Sequence, residues 1–346
     1  MIKLLKPLSQ YFNVSGWMSD KGAEREAPHS FTPCYIWPGK QIPFRLYLED
    51  VRCRIFIIEN LQHNFEWLQE WHFKFRKNDH FLVIVGCFYH DALVEEASRM
   101  FDALDLNKAN FHILANDQRD IALFEKYGFH TVLVNQNAML DENHVMRPIP
   151  GAKIYDAVYV ARLIALKRHY LASAIDNLAL VAGPNAGSAP SEYIPAHTYR
   201  NEYELDPNEV CKKINQSYCG LILSENEGAS FVSSEYLLCG VPVVSTPSEG
   251  GRSIWYNAYN SIIAEPNPLS IKEAVNELIS NPRDPERIRN DHIKLANEHR
   301  QRFIALISSI LEQSGIQYID TQKYFASHFI HKMRESIEPH YEKLFS

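Results

Sequence analysis

The stretch that most constrains this chain runs from Gly220 to Gly251, GLILSENEGASFVSSEYLLCGVPVVSTPSEGG. The apolar run Leu221 to Leu223 stops at a polar loop containing Glu227-Gly228. Helix-like spacing follows, with Glu235 eight positions after Glu227. Gly240 ends it, Val241-Pro242-Val243-Val244 reads as a buried strand, and Gly250-Gly251 as a turn. Strand, acidic loop, helix, strand and glycine loop in this order call for a parallel sheet, because two parallel strands need a crossover between them.

The same alternation extends in both directions. Strands are expected over 54–59, 81–87, 111–115 and 131–134. Helices are expected over 64–77, from Asp91 as cap to about 104, and over 118–127. The run Arg147-Pro148-Ile149-Pro150-Gly151 reads as a linker. A second series follows: strand 156–161, helix 166–177, strand 178–182, a polar loop from Gly183 to Ser191, and a short strand near 197–199. The helix from Pro207, the segment above, a strand over 261–264 and helices over 270–280, 286–313 and 321–346 complete it. The expected divisions are residues 1–150, 151–320 and a last helix, 321–346, crossing back to the first domain. Residues 1–50 hold five prolines at 7, 28, 33, 38 and 43 and show little period. The fold class is α/β: two Rossmann-like doubly wound parallel-sheet domains facing a central cleft. In such sheets ligands bind outside the carboxyl ends of the strands.

Composition narrows the function classes. A formal net charge of −7 argues against bulk binding to nucleic acid or anionic lipid. No apolar run approaches the roughly eighteen residues that span a bilayer. The six cysteines make no CxxC pair, so reduced, buried thiols are expected, as in a cytoplasmic protein; peripheral attachment to a membrane stays open. The histidines offer no HxxxH or HExxH pair, and neither Asp102/Asp105 nor Asp117/Asp120 forms a strand-end acidic pair, so no metal is expected.

Val160-Ala161-Arg162-Leu163 ends a strand, and Lys167 follows five residues after Arg162. With Glu227, Glu235, the Val241–Ser245 strand and Gly250-Gly251, this resembles the donor half of the family 4 (group 1) retaining glycosyltransferases of the GT-B fold. The resemblance spans about 153–278. It implies a sugar moved from a nucleoside diphosphate to an acceptor hydroxyl with retention and without a metal. The acceptor would be a glycan, a lipid-linked sugar or a small molecule, and the donor is the only nucleotide needed, with no further cofactor. Arg162 and Lys167 would hold the diphosphate, since fixed cations favour a transition state in which charge grows on the leaving group. Glu227 would meet the sugar hydroxyls, and the amides of Gly228, Ala229 and Ser230 the donor, as a helix N-terminus suits an anion. Glu235 would bind the ribose, and Gly250 and Gly251 would let a ligand approach closely. His90, at a strand–helix junction, matches the cleft histidine of many relatives. Arg168 stands where the family commonly has glycine, and nothing in 1–50 matches the family's first glycine-rich loop; Ser15-Gly16 and Lys21-Gly22 are poor substitutes. Val134-Asn135-Gln136-Asn137 resembles the end of the family's first domain.

Each residue also has a plainer role: Arg162 and Lys167 at a surface helix start, Glu227 favouring a helix dipole, Glu235 on a solvated face, His90 as a cap, the glycine pair as a tight turn. Two other functions stay open: a GT-B subunit that binds without turnover, and another GT-B enzyme such as a sugar-nucleotide epimerase.

Overall fold

The computed structural model describes residues 34–36, 43–182, 193–329 and 337–338. The loop expected over 183–191, Ser15-Gly16 and Lys21-Gly22 lie outside the described residues. The first half contains β1 (Cys34–Ile36), β2 (Pro43–Glu49), β3 (Arg54–Glu59), α1 (Phe65–Trp71), β4 (Asp79–Ile84) and α2 (Asp91–Ala103). It continues with β5 (Phe111–Ala115), α3 (Gln118–Glu125) and β6 (His130–Leu133). The second half begins with β7 (Tyr155–Val160), β8 (Leu178–Val181), β9 (Tyr199–Arg200), α4 (Pro207–Asn215), β10 (Ser217–Ile222) and α5 (Phe231–Leu238). Then come β11 (Val243–Ser245), β12 (Ser261–Ile263), α6 (Pro268–Ser280), α7 (Pro285–Gln313), α8 (Thr321–Ser327) and β13 (Ile337–Glu338).

Two sheets result. The first has the order β13-β1-β2-β3-β4-β5-β6. Its β3 to β6 are parallel, as the alternating pattern predicts, whereas β2 pairs antiparallel with both β1 and β3. The runs Ile55–Ile58 of β3 and Phe81–Ile84 of β4 are apolar without interruption because both their faces are covered. Phe56, Ile58, Phe81 and Val83 pack with Leu68, Val94, Phe101 and Phe124 of α1 to α3. Ile55, Ile57, Leu82 and Ile84 pack with Phe303, Ile307 and Ile310 of α7. Because β3 to β6 follow one another in chain order, their right-handed crossovers place all three helices on one face. The other face is covered by α7, α8 and the residues between and after them as far as Phe329.

The second sheet is wholly parallel, in the order β12-β11-β10-β7-β8-β9. Chain order therefore reverses between β7 and β10, which opens a crevice at their carboxyl ends. The ladder between these strands stops at Val158↔Gly220. Past that point the N–H of Val160 donates to the Tyr236 hydroxyl of α5, at 2.9 Å. Gly220 makes this possible: a Cβ there would stand 2.2 Å from the Tyr236 ring. The helix carrying Glu235 thus lies directly on the diverging strands.

Several local expectations change. Residues 166–177 form no α-helix; two 3-10 turns, Ala165–Lys167 and His169–Ala172, replace it, with left-handed Arg168 between them. The helix expected over 64–77 ends at Trp71, followed by a 3-10 turn, His72–Lys74. Asp91 does not cap α2; His90 stands at that position, and Asp91 accepts from Lys126 and Tyr127 instead. Pro207 does open α4, behind a reciprocal Asp206–Glu209 capping box. Helix 285–313 bridges the sheets: Ile288 and Ala296 pack with Val158 and Val243 of the second, and Phe303 with the first. Within 321–346 only Thr321–Ser327 is helical among the described residues.

Candidate functional site

Three loops meet at the reversal of strand order: 161–169 after β7, 223–230 after β10 and 246–252 after β11. At their centre Lys167 Nζ and Ser224 Oγ both donate to Oε1 of Glu227. The ion pair is nearly closed to solvent, its side chains 16% and 10% exposed. Burial alone would raise the Glu227 carboxyl, but Lys167, Arg252 and the bonds from Lys167 and Ser224 hold it below the usual carboxylate range. Arg162 shares this environment. Burial lowers its guanidinium and Glu227 opposes that, while its Nε is buried without a hydrogen-bond partner among the described residues.

Two further arginines grip the strand ends. Arg168 donates from Nε to the Leu223 carbonyl at 2.6 Å and from Nη2 to Thr246 Oγ1 at 2.8 Å. It does so from φ 50°, ψ 48°, a left-handed backbone that a side chain adopts at a cost. The residue that departs from the family's glycine therefore keeps the conformation a glycine would favour. Arg252 is 1% exposed; Nη1 donates to Ser224 Oγ at 2.5 Å, and Nη2 to the carbonyls of Ser224 and Thr246 at 2.8 and 3.0 Å. His169 is buried beside them, its pKa lowered to about 4 by burial and by Lys167, so it adds no charge at neutral pH.

The N-terminal end of α5 closes the other side. Ser230 has φ 55° and makes no side-chain cap bond. Among the described residues, the N–H groups of Gly228, Ala229 and Ser230 have no backbone acceptor. Glu235, on the second turn of α5, is buried at 6% exposure rather than on a solvated face. The glycine pair approaches protein: a Cβ on Gly250, at φ 107°, would fall 1.7 Å from the Glu227 carbonyl oxygen. One on Gly251 would fall 2.3 Å from Cβ of Asn116. Both are buried, so they let the 246–252 loop lie against the Glu227 loop and the first half.

The first half contributes neutral amides. Asn135 Nδ2 donates to the Gly251 carbonyl at 2.8 Å and to Asn116 at 3.0 Å. Asn137 Nδ2 lies 3.1 Å from the Ala229 carbonyl, 2.9 Å from that of Ser230 and 3.0 Å from Ser234 Oγ. Asn60 and Asn116 tie the neighbouring strand ends together through Gly86 N–H and the Val85 carbonyl. The loop holding His90 reaches the site through Cys87, whose backbone would be 3.1 Å from a Cβ on Gly228. His90 itself is exposed, three residues further on.

The structure thus brings together Arg162, Lys167, Glu227 and Gly228, with Ala229, Ser230, Glu235, Gly250 and Gly251 around them, and leaves His90 at the margin. Sequence reasoning missed Ser224, Thr246 and Arg252. Arg252 carried one signal, a charged residue directly after the glycine pair.

Residues 204–295 match the family model described as glycosyl transferases group 1. The match covers about a quarter of the chain and marks this segment as similar to that family. It contains Glu227, Glu235, Gly250, Gly251 and Arg252, and stops short of Arg162 and Lys167. Among solved structures, the chain is similar to Anabaena HepE in complex with UDP, at 13% identity, covering 73% of this chain and 78% of that one with TM-score 0.52. A glycosyltransferase from Rickettsia africae ESF-5 gives 13%, 74%, 76% and 0.51 for the same measures. The OtsA apo structure gives 12%, 74%, 72% and 0.51. At such identities the likeness establishes the fold, which is GT-B. No curated protein sequence matches the chain significantly. No described helix is long and apolar enough to cross a membrane.

Proposed function

We propose that the protein transfers a sugar from a nucleoside diphosphate to an acceptor hydroxyl, with retention of configuration and without a divalent metal. One observation carries this reading. Arg162, Lys167, Arg168 and Arg252 gather at the strand ends around Glu227, beside the N–H groups of Gly228, Ala229 and Ser230, which have no backbone acceptor among the described residues. That suits a leaving diphosphate, whose negative charge grows as the sugar–phosphate bond breaks. Fixed cations that need no reorganisation can do the work other transferases assign to a bound metal. The proposed roles follow: Arg162 and Lys167 on the diphosphate, Gly228, Ala229 and Ser230 N–H groups on its oxygens, Glu227 on the sugar, Glu235 on the ribose.

Retention is supported by the state of Glu227. A carboxylate tied to Lys167 and held below the usual range is a poor base and a poor nucleophile. The balanced step then needs no protein nucleophile. The C1–O bond to phosphate breaks, the acceptor oxygen bonds to C1 on the same face, and the acceptor proton passes to the departing phosphate oxygen.

The test is to incubate the protein with a panel of nucleoside-diphosphate sugars in excess EDTA. UDP-glucose comes first, because UDP-glucose and UDP are the ligands named for the similar HepE structures. A donor at a hundred times its dissociation constant should also stabilise the fold by about 2.7 kcal/mol. Release of nucleoside diphosphate with an α-linked product from an α-linked donor supports the reading. An inverted product, or activity that vanishes on chelation and returns with magnesium or manganese, sinks the mechanism. Binding without turnover would favour a non-catalytic subunit, and a new isomer of the donor an epimerase.

A further inference from the structure

We propose that Arg252 is a positioning residue for Glu227, acting through the Ser224 hydroxyl to fix which carboxylate oxygen is committed and which is offered to the donor. The inference rests on the transferase reading for its catalytic consequence, though not for its geometry. A guanidinium can only donate, so Arg252 Nη1, 2.5 Å from Ser224 Oγ, occupies one of that oxygen's lone pairs. The single hydroxyl proton of Ser224 is then directed to Glu227, where it reaches Oε1. Lys167 Nζ donates to the same oxygen. One oxygen takes both charge-strengthened donors and Oε2 takes neither, which leaves Oε2 as the acceptor for a sugar hydroxyl.

Burial makes this arrangement directional. Arg252 is 1% exposed and makes no direct ion pair among the described residues; its two carbonyl partners are neutral. A buried guanidinium without a counter-charge is costly. Its nearest carboxylate is Glu227, one hydroxyl away, and Arg252 is among the charges that hold that carboxyl down. The groups facing Glu227 are few. Lys167, Arg162 and Tyr159 come from β7 and its loop, Arg252 and Tyr256 from the loop after β11. From the first half, the Cys87 backbone lies against Gly228, and its thiol, pushed up to about 11 by burial, is neutral. Of the cations among the described residues, only Arg252 reaches Glu227 through an intervening hydroxyl, so its effect can be separated from that of Lys167.

The experiment compares R252Q, R252K and S224A with the wild type by two readouts: the Glu227 carboxyl titration, followed by carbon NMR in ligand-free protein, and the pH profile of kcat/KM for transfer. R252Q should raise the Glu227 titration and move the acid limb of the profile upward by the same amount, while R252K restores both. S224A should lower kcat by about tenfold to a hundredfold, the scale for a bond to a charged group, with donor KM little changed. The R252Q/S224A double variant should be no worse than the poorer single, because the two act in series. S224A removes only an oxygen and guards against misfolding of R252Q. An unmoved Glu227 titration in R252Q, or losses in the two variants that multiply, overturns the proposal. If the wild type transfers no sugar at all, the transferase reading fails alone, and the titration still decides the role of Arg252.

Discussion

The two halves of this molecule answer the same architectural problem differently. In the second sheet the strand order reverses between β7 and β10, and loops from both sides of the reversal converge on one crevice. In the first, β3 to β6 follow in chain order, no such crevice opens within that run, and one face is left for α7 to cover. The charges follow the topology. Among the described residues, every cation around Glu227 comes from the second half, while the first half presents asparagines to that centre. A strand-order reversal makes a place to put charge; a sequential sheet edge makes a place to brace against.

The largest expected effect tests that division. Lys167→Ala or Glu227→Gln should lower transfer by about a hundredfold or more, the scale for losing one charge-stabilising group. Asn60→Ala and His90→Ala, on the first half, should cost about tenfold or less. Steady-state kinetics on the four variants would show it, and a His90→Ala loss equal to that of Lys167→Ala would move chemistry into the first half.

Next comes the dependence of stability on pH. His112 of the first half, His169 of the second and His292 and His299 of α7 are held neutral by burial, at about 3, about 4, about 3 and about 4. Below pH 6.5 the unfolded chain takes protons that these folded histidines refuse, so stability falls on acidification. Asp120, in the first half, has the opposite sign. Burial and then Asp117 raise it to about 7, so its contribution is full below about 3.8 and is lost as pH rises toward 7. Unfolding free energies from denaturant titrations between pH 8 and pH 4 should drop by on the order of a few kcal/mol on the acid side. Asp120→Asn should remove the loss between pH 4 and 7. An Asp120→Asn curve parallel to wild type would mean that this carboxyl is ionised in the fold.

Bracing comes third. Asn137→Ala should cost about 1–3 kcal/mol, the range for leaving buried acceptors without their donor. It should also weaken transfer by loosening the Ala229–Ser230 loop. A variant with unchanged melting temperature and unchanged kinetics would show that the second half holds its own loops.

The smallest effect is the sharpest. Arg168→Ala should lose the bonds to Leu223 and Thr246 yet keep the left-handed backbone. Arg168→Gly loses the same bonds but relieves that backbone of about 1 kcal/mol. The glycine variant should therefore be the more stable of the two, by urea denaturation. Equal stabilities would mean that the backbone relaxes when the side chain is removed.

Much of the architecture was legible in the chain. Continuous apolar runs bounded by polar loops gave β3 to β6 and the second series, because strands covered on both faces cannot alternate. The helix over 166–177 failed for a local reason. Arg168 turns left-handed to reach two strand ends, and no helical period records that. Asp91 stood at the right place for a cap, yet Lys126 and Tyr127, far along the chain, draw its carboxylate away. In the candidate site Glu227, Lys167 and Arg162 could be picked out through the resemblance to the group 1 glycosyltransferase donor motif. Ser224 and Arg252 could not, since a serine at a strand end and an arginine in a turn are ordinary until their partners are known.

The sequence by itself determined the α/β class, the strand–helix alternation of both halves and the kinds of group placed after the strands, because these depend on period and local order. Only the tertiary structure decided the strand order, which face α7 covers, that Gly250 packs on the Glu227 carbonyl and Gly251 on Asn116, and that Arg252, Ser224, Glu227 and Lys167 form one connected chain of donors and acceptors. The physical reason is distance along the chain. These contacts join residues from loops that meet only once both sheets have closed, and the burial that strengthens their charges arises only then.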